Sequence, residues 1–128
     1  MTNVDLVKEA YAHFATGNVP AVLAMFDSNL ECHECKGMPF VKGDGIFTGP
    51  DAIVTNIFMN LPVSFDGFNI AVSDIFGVDD KVVMVGFYQG TNKKTSNSFK
   101  ANATHVWTFK NSKIIHFFQA VDTATINS

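Results

Sequence analysis

Apolar residues recur every three or four positions along the first half of the chain, a spacing typical of amphipathic helices. The inward positions of three helical patterns are Val4, Val7, Tyr11 and Phe14, then Val22, Leu23 and Phe26, then Ile53, Val54, Ile57, Phe58 and Leu61. Thr2 or Asn3 can cap the first helix, and Gly17 ends it. Pro20 lies in the first turn of the second helix, where a missing N–H costs nothing, and Pro62 ends the third.

In the second half of the chain the apolar period shortens to two, which predicts β-strands. The alternating segments are residues 68–76, 81–91, 98–109 and 113–122, and residues 30–35 form an earlier strand before a glycine-rich loop at 36–48. Gly86 and Gly90 interrupt an otherwise buried pattern and predict bulges in a strongly bent sheet. We therefore expect one α+β domain over residues 1–128, with helices packed on one face of a mostly antiparallel sheet.

The last two strands differ in how polar residues divide between their faces. Strand 98–109 is apolar on the register of His105 and Trp107 and largely polar on the other. Strand 113–122 is apolar on both sides, with Ile115, Phe117, Gln119 and Val121 on one and Ile114, His116, Phe118 and Ala120 on the other. A strand that is apolar on both faces needs cover on both. Because the helices use one face, we expect a homodimer through the outer face; the alternative is that Phe118 is simply exposed.

Composition narrows the classes of function. Hydrophobic residues make up 47% of the chain and charged residues 16%, so the chain buries a large core or hides surface in a partner. The net charge is −3 and the nine basic residues are all lysine; without arginine or a basic stripe, we expect no nucleic-acid binding. We find no apolar run of membrane-spanning length and no signal-peptide core, so we expect a cytoplasmic protein. No glycine-rich phosphate loop follows a strand, and we expect no nucleotide cofactor.

The segment Cys32-His33-Glu34-Cys35 holds the residue types of a metal or redox site. A structural zinc site needs four ligands, and the chain has only two cysteines and no second ligand pair at zinc spacing. On a strand, Cys32 and Cys35 point to opposite faces. A redox pair would lie at a helix N-terminus, whereas a loop follows here. We therefore expect neither a metal site nor a redox pair, and we expect the outward-facing His33 and His116 at the surface or in an interface.

The alternation of the same strand directs Glu34 toward the interior. Leu30, Cys32 and Glu34 share one face, and Leu30 marks that face as the buried one. A carboxyl group in an apolar interior must be paired, hydrogen-bonded or protonated. Glu34 is therefore a candidate for a titratable base with a raised pKa; the alternative is a strand-end carboxylate that reaches water.

Several segments match a known family in order along the chain. They are the helix Val4–Phe14, Gly17–Val22, Asp27–Glu31, Phe47–Ile53, Asp80–Val83, Gly86, Ala103–Phe109, Lys113–Ile115 and Gln119–Thr123. On these segments the chain resembles the SnoaL-like group of the nuclear transport factor two-like superfamily, which also includes ketosteroid isomerase. The resemblance covers essentially the whole chain and rests on order and spacing rather than on one motif. It implies a cone-shaped, cystatin-like α+β barrel whose sheet wraps around the N-terminal helices, with a pocket in its mouth and dimers through the outer sheet face.

The resemblance also implies where chemistry takes place. Polyketide cyclases of this group use a histidine on the penultimate strand and an aspartate on the last. His105 matches the histidine, whereas Gln119 stands at the aspartate position and cannot be a general base. Asp122 cannot replace the aspartate, because it lies three residues further along and faces the other way. The family often has tryptophan at the position of Cys32, so we expect a roomier pocket there.

We therefore expect a pocket without metal or cofactor for a small, largely apolar molecule that carries a carbonyl or hydroxyl group. The expected catalytic residues are Glu34 as base and His105 and Gln119 as donors that polarise oxygen. The expected substrate-binding residues are Tyr11, Cys32, Phe58, Phe87, Trp107 and Phe117. His105 and Gln119 have a structural alternative, as buried side chains that satisfy each other or Tyr88. The candidate functions are an isomerase, cyclase or dehydratase with acid–base chemistry, a non-catalytic ligand-binding domain, and a dimerisation module with a vestigial pocket.

Overall fold

The helices begin where the sequence offers caps. A computed structural model describes residues 1–128, and in it Thr2 and Asp5 form a capping box at the start of the longest helix. Asn18 caps the second helix, which has Pro20 in its first turn as predicted. The helices are α1 (Asn3–Ala15), α2 (Val19–Leu23), α3 (Pro50–Asn56), α4 (Leu61–Ser64) and α5 (Thr123–Asn127), with a 3₁₀ turn at Phe58–Asn60. None of them has the length and apolar character that crossing a membrane requires.

Six strands form one mixed sheet. They are β1 (Phe26–His33), β2 (Ile46–Thr48), β3 (Phe65–Val78), β4 (Lys81–Asn92), β5 (Ser98–Lys110) and β6 (Lys113–Val121). Their order across the sheet is β2-β1-β6-β5-β4-β3, in which β1 and β6 are parallel and every other neighbouring pair is antiparallel. The expected α+β fold with a mostly antiparallel sheet is confirmed. The two edge strands do not pair with each other, so the sheet is open rather than a closed barrel.

Two glycines in β4 allow the sheet to bend, as their place in the pattern predicted. Opposite Gly86, the register of β3 shifts by one residue at Ser73. A Cβ atom at Gly86 would lie 2.2 Å from the carbonyl oxygen of Ala71, so the two backbones approach more closely than any side chain permits. Opposite Gly90, whose φ is 157°, the register of β3 shifts again after Asp66. The extra residues therefore lie on β3, and the glycines of β4 accommodate them.

The helices cover the inner face of the sheet, and two apolar clusters fill the space between. The larger cluster contains Val7, Ala10, Leu30, Cys32, Ile53, Ile57, Val82, Trp107, Phe109 and Ile114. The second contains Met38, Phe65, Tyr88, Phe99, Ala101, Ala103 and Ile126. The expected inward register of β5, from Phe99 to Phe109, is buried at every position. His105 and Trp107 of this register line a cavity between the sheet and the helices.

The structure corrects several expected boundaries. Phe26 begins β1 instead of extending the second helix, and Pro62 lies in the first turn of α4 instead of ending a helix. A bulge leaves Ile115 without a partner on β5 and turns Ile114 inward, where it is fully buried rather than outward as expected. The sequence patterns did not indicate β2 or α5. Both are short and depend on pairing or packing with distant parts of the chain.

Candidate functional site

A cavity of about 80 Å³ lies between the helices and the inner face of the sheet. Of the 21 residues that line it, 18 are hydrophobic. Eight of the nine expected site residues are among them: Glu34, His105, Gln119, Tyr11, Cys32, Phe58, Trp107 and Phe117. The cavity is thus an apolar space with a small number of polar groups on its wall, which is the usual character of a small-molecule site.

Strand register brings the three expected catalytic side chains next to one another. His105 on β5 is the direct partner of Gln119 on β6. On the parallel strands β1 and β6, Cys32 is the partner of Phe117. Gln119 lies two residues beyond Phe117 on β6, and Glu34 lies two residues beyond Cys32, one position after β1 ends; both line the cavity. The order of the side chains along one row is therefore carboxyl, amide and imidazole.

A chain of hydrogen bonds joins five side chains at the cavity wall. Nε1 of Trp107 donates to the hydroxyl oxygen of Tyr11 at 3.0 Å, and that hydroxyl lies 2.7 Å from Nδ1 of His105. The hydroxyl of Tyr88 lies 2.5 Å from Nε2 of His105 and 2.9 Å from Oε1 of Gln119. The imidazole is therefore held between two tyrosine hydroxyls, one on each ring nitrogen.

The two ends of this chain determine where each proton lies. The indole of Trp107 can only donate, and the carbonyl oxygen of Gln119 can only accept. Tyr88 therefore donates to Gln119 and accepts the proton on Nε2 of His105. The unprotonated Nδ1 of His105 then accepts from the hydroxyl of Tyr11. Both imidazole nitrogens are occupied by protein groups, and neither is free to contact a ligand.

Burial keeps His105 neutral. The side chain is 2% exposed, and the loss of solvation lowers its pKa from 6.5 to about 3. Burial also raises the pKa of both Tyr11 and Tyr88. Both ring nitrogens contact tyrosine hydroxyls, whereas the sequence-based expectation was that His105 donates to a ligand oxygen.

Glu34 and Gln119 each keep one buried polar atom free. Oε2 of Glu34 and Nε2 of Gln119 are buried and have no hydrogen-bond partner in the protein. Burial raises the pKa of the Glu34 carboxyl from 4.5 to about 8, against a smaller lowering by the backbone N–H of Cys35. At neutral pH the carboxyl is therefore mostly protonated. The cavity thus presents two hydrogen-bond donors, a carboxylic O–H just after the end of β1 and an amide N–H on β6.

The two cysteines are free thiols in different surroundings. Cys32 lines the cavity. Burial raises the pKa of its thiol, and the negative charge of Glu34 raises it further. Sγ of Cys35 instead accepts a hydrogen bond from the backbone N–H of Val121 at 3.3 Å. One thiol is part of an apolar wall and the other fastens the end of β1 to β6.

Phe87 does not line the cavity, contrary to expectation. The buried inner register of β4 consists of Val82, Met84, Gly86 and Tyr88. Phe87 lies on the outer face, where Nζ of Lys100 is 4.4 Å from the centre of its ring. Both registers of β4 are apolar in sequence, so alternation alone does not choose between them. The polar Gln89 shares the register of Phe87, and this was the sequence signal that could have placed Tyr88 on the inner face instead.

Three aromatic rings on the wall of the cavity pack against one another. The ring centre of Phe14 lies 6.0 Å from that of Phe58 and 6.3 Å from that of Phe68. The three residues come from α1, the 3₁₀ turn and β3, and each is partly exposed while lining the cavity.

Asp122 has a structural role at the end of β6. Its carboxylate accepts a hydrogen bond from the backbone N–H of Thr125 and caps α5. The side chain is exposed and is not part of the cavity lining. The end of β6 therefore contributes Gln119 to the cavity, and no carboxylate.

A model of the SnoaL-like domain matches residues 7–117. The chain belongs to the SnoaL-like family. Its structure is similar to that of an NTF2-like protein from Burkholderia thailandensis, with a TM-score of 0.91 and 31% identity over 99% of this chain and 95% of that one. It is also similar to TerC, co-crystallised with polyporic acid, with a TM-score of 0.84 and 18% identity over 98% and 95% of the two chains. A Shewanella putrefaciens protein, described provisionally as a SnoaL-like polyketide cyclase, has a TM-score of 0.78 and 11% identity over 99% and 95%. No curated protein matched the chain in sequence.

Membership of the SnoaL-like family establishes the fold of this domain. It does not establish the reaction, which has to be inferred from the side chains of the cavity. The likenesses to TerC and to the Shewanella protein, at 18% and 11% identity, show the fold alone. In the SnoaL-like domain described here, Gln119 and the doubly bonded His105 replace the aspartate–histidine arrangement that the resemblance implied.

Proposed function

We propose that this SnoaL-like domain binds a small, largely apolar molecule through one carbonyl or hydroxyl oxygen, and that Glu34 transfers a proton to and from it. The observation that carries the proposal is the pair of unpartnered buried atoms, Oε2 of Glu34 and Nε2 of Gln119, on the wall of an apolar cavity. A buried polar atom without a partner costs about 1–3 kcal/mol. A ligand oxygen that accepts from both groups removes this cost, whereas a hydrocarbon does not.

The pKa of Glu34 suits proton transfer near neutral pH. With a pKa of about 8, the side chain is mainly a carboxylic acid with a minor carboxylate fraction. The acid can donate to a ligand oxygen, and the carboxylate can remove a proton from the carbon beside a carbonyl. The amide N–H of Gln119 stabilises the oxygen as it gains negative charge. This arrangement supports isomerase or dehydratase chemistry, in which one carboxyl moves a proton between two positions of the substrate.

A second function is binding without turnover, and one observation favours it. Glu34 is the single titratable side chain of the cavity whose pKa lies near neutrality. His105 has both nitrogens occupied and a lowered pKa, and burial raises the pKa of Tyr11, Tyr88 and Cys32 further from neutrality. Reactions that need a separate acid and base are therefore poorly supported, and the same donors would hold a bound metabolite equally well.

Proton exchange in D₂O separates the two functions. Small cyclic ketones are incubated with the protein, and loss of the α-proton signal is followed by NMR. We expect wild-type protein to accelerate exchange of ketones that bind. Glu34→Gln keeps a hydrogen-bond donor, so it should retain binding and lose the acceleration, whereas Glu9→Gln, an exposed control on α1, should behave as wild type. Binding without exchange in the wild type would favour the second function, and the absence of ketone binding would refute both.

We also propose that two copies of the chain pair through the outer face of the sheet. Phe76, Val83, Val106 and Phe118 are consecutive register partners on β3, β4, β5 and β6, so they form one apolar row across that face. Phe76 and Phe118 are each 44% exposed. A continuous apolar row on a sheet face is suited to a self-complementary contact with a second copy of itself.

A further inference from the structure

Glu31, His33 and His116 meet on the outer face of the sheet, away from the cavity. A carboxylate oxygen of Glu31 and one nitrogen of each imidazole all lie within 4.8 Å of one another. Nε2 of His33 is 3.0 Å from Oε1 of Glu31, and the two imidazole ring centres are 4.6 Å apart. In a single chain the glutamate is exposed and the histidines are half-buried. His33 is also the register partner of Phe118, so the cluster borders the apolar row proposed above for the contact between two copies.

Strand pairing holds these three residues together. Glu31 and His33 are two positions apart on β1 and so project from the same face. Glu31 is also the direct register partner of His116 on the parallel strand β6. The backbone positions are therefore set by the centre of the sheet and not by a loop. Only side-chain torsions remain to be adjusted when the three groups converge on one point.

The spacing of the ligand atoms is close to that of a metal site. Around a tetrahedral zinc ion with Zn–N distances of about 2.0–2.1 Å, neighbouring ligand atoms lie about 3.3 Å apart. The Glu31–His33 contact, at 3.0 Å, is close to this separation. The ligand atom of His116 lies within 4.8 Å of the other two, so it has to approach by about 1.5 Å at most. His116 makes no side-chain hydrogen bond within the protein, so its imidazole can rotate without losing one.

We propose that Glu31, His33 and His116 bind one divalent first-row transition metal ion, with water completing its coordination. Two imidazoles and a carboxylate form a ligand set suited to Zn²⁺ and its neighbours in the series. The proposal goes beyond the function proposed for the cavity, because this site opens on the opposite face of the sheet and shares no residue with it. Its ligands are imidazole and carboxylate groups, so it also differs from a thiol site formed by Cys32 and Cys35.

Lys81 is the charged neighbour that opposes metal binding. Its ammonium group donates to Oγ1 of Thr108 at 3.0 Å, and Thr108 is the register partner of His116. Lys81, Thr108, His116 and Glu31 thus follow one another across β4, β5, β6 and β1. Repulsion between this ammonium group and a bound cation lowers the affinity, so removing the positive charge of Lys81 should tighten metal binding without adding a ligand.

Metal titration of the full chain tests the proposal. Tag-free protein is stripped with a chelator and titrated with Zn²⁺ by calorimetry and with Co²⁺ by visible absorption. We expect one ion per chain, with at least a tenfold loss of affinity in His33→Asn and in His116→Asn. His13→Asn, a histidine on α1, is the matched control and should leave the affinity unchanged. Lys81→Gln should increase it several-fold.

The outcomes that would overturn the proposal are specific. One is the absence of saturable binding at one equivalent. Another is an affinity that neither His33→Asn nor His116→Asn changes, in variants whose thermal unfolding in chelator matches the wild type. A third is a Co²⁺ complex with sulfur-to-metal charge-transfer absorption that Cys35→Ser abolishes, because that result would assign the ion to a thiol.

Discussion

The hydroxyl of Tyr88 lies 2.5 Å from Nε2 of His105, so this ring nitrogen is bonded within the protein although the imidazole lines the cavity. The other nitrogen of the ring is occupied by the hydroxyl of Tyr11 at 2.7 Å. His105, which the sequence suggests as a catalytic donor, therefore bonds to the hydroxyls of Tyr11 and Tyr88. Because Tyr88 accepts from His105, its own proton goes to the side-chain oxygen of Gln119. The side-chain nitrogen of Gln119 is left without a partner in the protein.

The first prediction concerns the protonation of His105. Nitrogen-15 NMR should show a neutral imidazole protonated on Nε2, with Nδ1 unprotonated, across the neutral pH range. The opposite tautomer would contradict the account, because it requires the amide of Gln119 to turn its nitrogen toward Tyr88 and its oxygen toward the cavity. Tyr88→Phe should remove the partner of both His105 and Gln119 and destabilise the fold by more than about 2 kcal/mol.

The second prediction concerns stability and pH. The pKa of Glu34 is about 8 in the folded protein and 4.5 in its ordinary state, so the folded state binds more protons between these values. Stability therefore falls as pH rises through this window, by about 1.4 kcal/mol per pH unit, and levels off above it. His105, with a pKa lowered from 6.5 to about 3, contributes the opposite slope between pH 3 and 6.5.

Comparison with Glu34→Gln isolates the carboxyl from the histidine. The free energy of unfolding of the wild type, minus that of the variant, should fall steadily from about pH 4.5 to 8. In the wild type alone the two slopes oppose each other up to pH 6.5, and the decline becomes visible only above it. Urea unfolding at intervals of half a pH unit measures both curves. A difference that is independent of pH would show that Glu34 is not a buried acid.

The third prediction concerns the bend of the sheet. Gly86→Ala places a Cβ atom 2.2 Å from a backbone oxygen of β3, which cannot move without breaking the pairing. We expect a loss of more than about 2 kcal/mol of stability. Gly77→Ala is the matched control, since its Cβ meets a methyl group of Val4 at 3.0 Å, and that side chain can give way. Equal losses in the two variants by denaturant unfolding would contradict this explanation.

Period-two alternation predicts side-chain direction well where only one register is apolar. Leu30 and Cys32 on β1, Glu34 just after its end, and His105 and Trp107 on β5 point inward as expected. Adding the pairing of β1 with β6 and β6 with β5 brings Glu34, Gln119 and His105 to one cavity. The sequence pattern therefore predicts that these three side chains share one cavity, but it does not predict their hydrogen bonds.

The same rule fails where both registers are apolar or a bulge intervenes. In β4, Phe87 and Tyr88 are adjacent aromatic residues on opposite registers, and the sequence pattern predicts Phe87 as a cavity wall where the structure has Tyr88. In β6, the bulge at Ile115 reverses the direction of Ile114, which no local pattern shows. The roles of His105 and Tyr88 depend on contacts across 17 positions of the chain, and such contacts exist only after folding.

The fourth prediction concerns the outer face. Phe118→Asp introduces a charge into the apolar row and should convert a homodimer to a monomer in sedimentation velocity. Val63→Asp replaces another exposed apolar residue, 68% exposed on α4, and should leave the dimer intact. A wild-type monomer at all concentrations, or dissociation by both variants, would contradict pairing through this face.

The fifth prediction tests the central claim that Glu34 and Gln119 together hold a ligand oxygen. Calorimetry compares ketones with their parent hydrocarbons, for example 1-indanone with indane, in binding to the wild-type protein. Two donors that otherwise stay unpaired should favour the ketone by about 1.4 kcal/mol or more, a factor of about ten. Glu34→Met and Gln119→Met preserve the volume of these side chains and should each reduce that preference. Equal affinities for ketone and hydrocarbon, or a preference that survives both substitutions, would contradict the account.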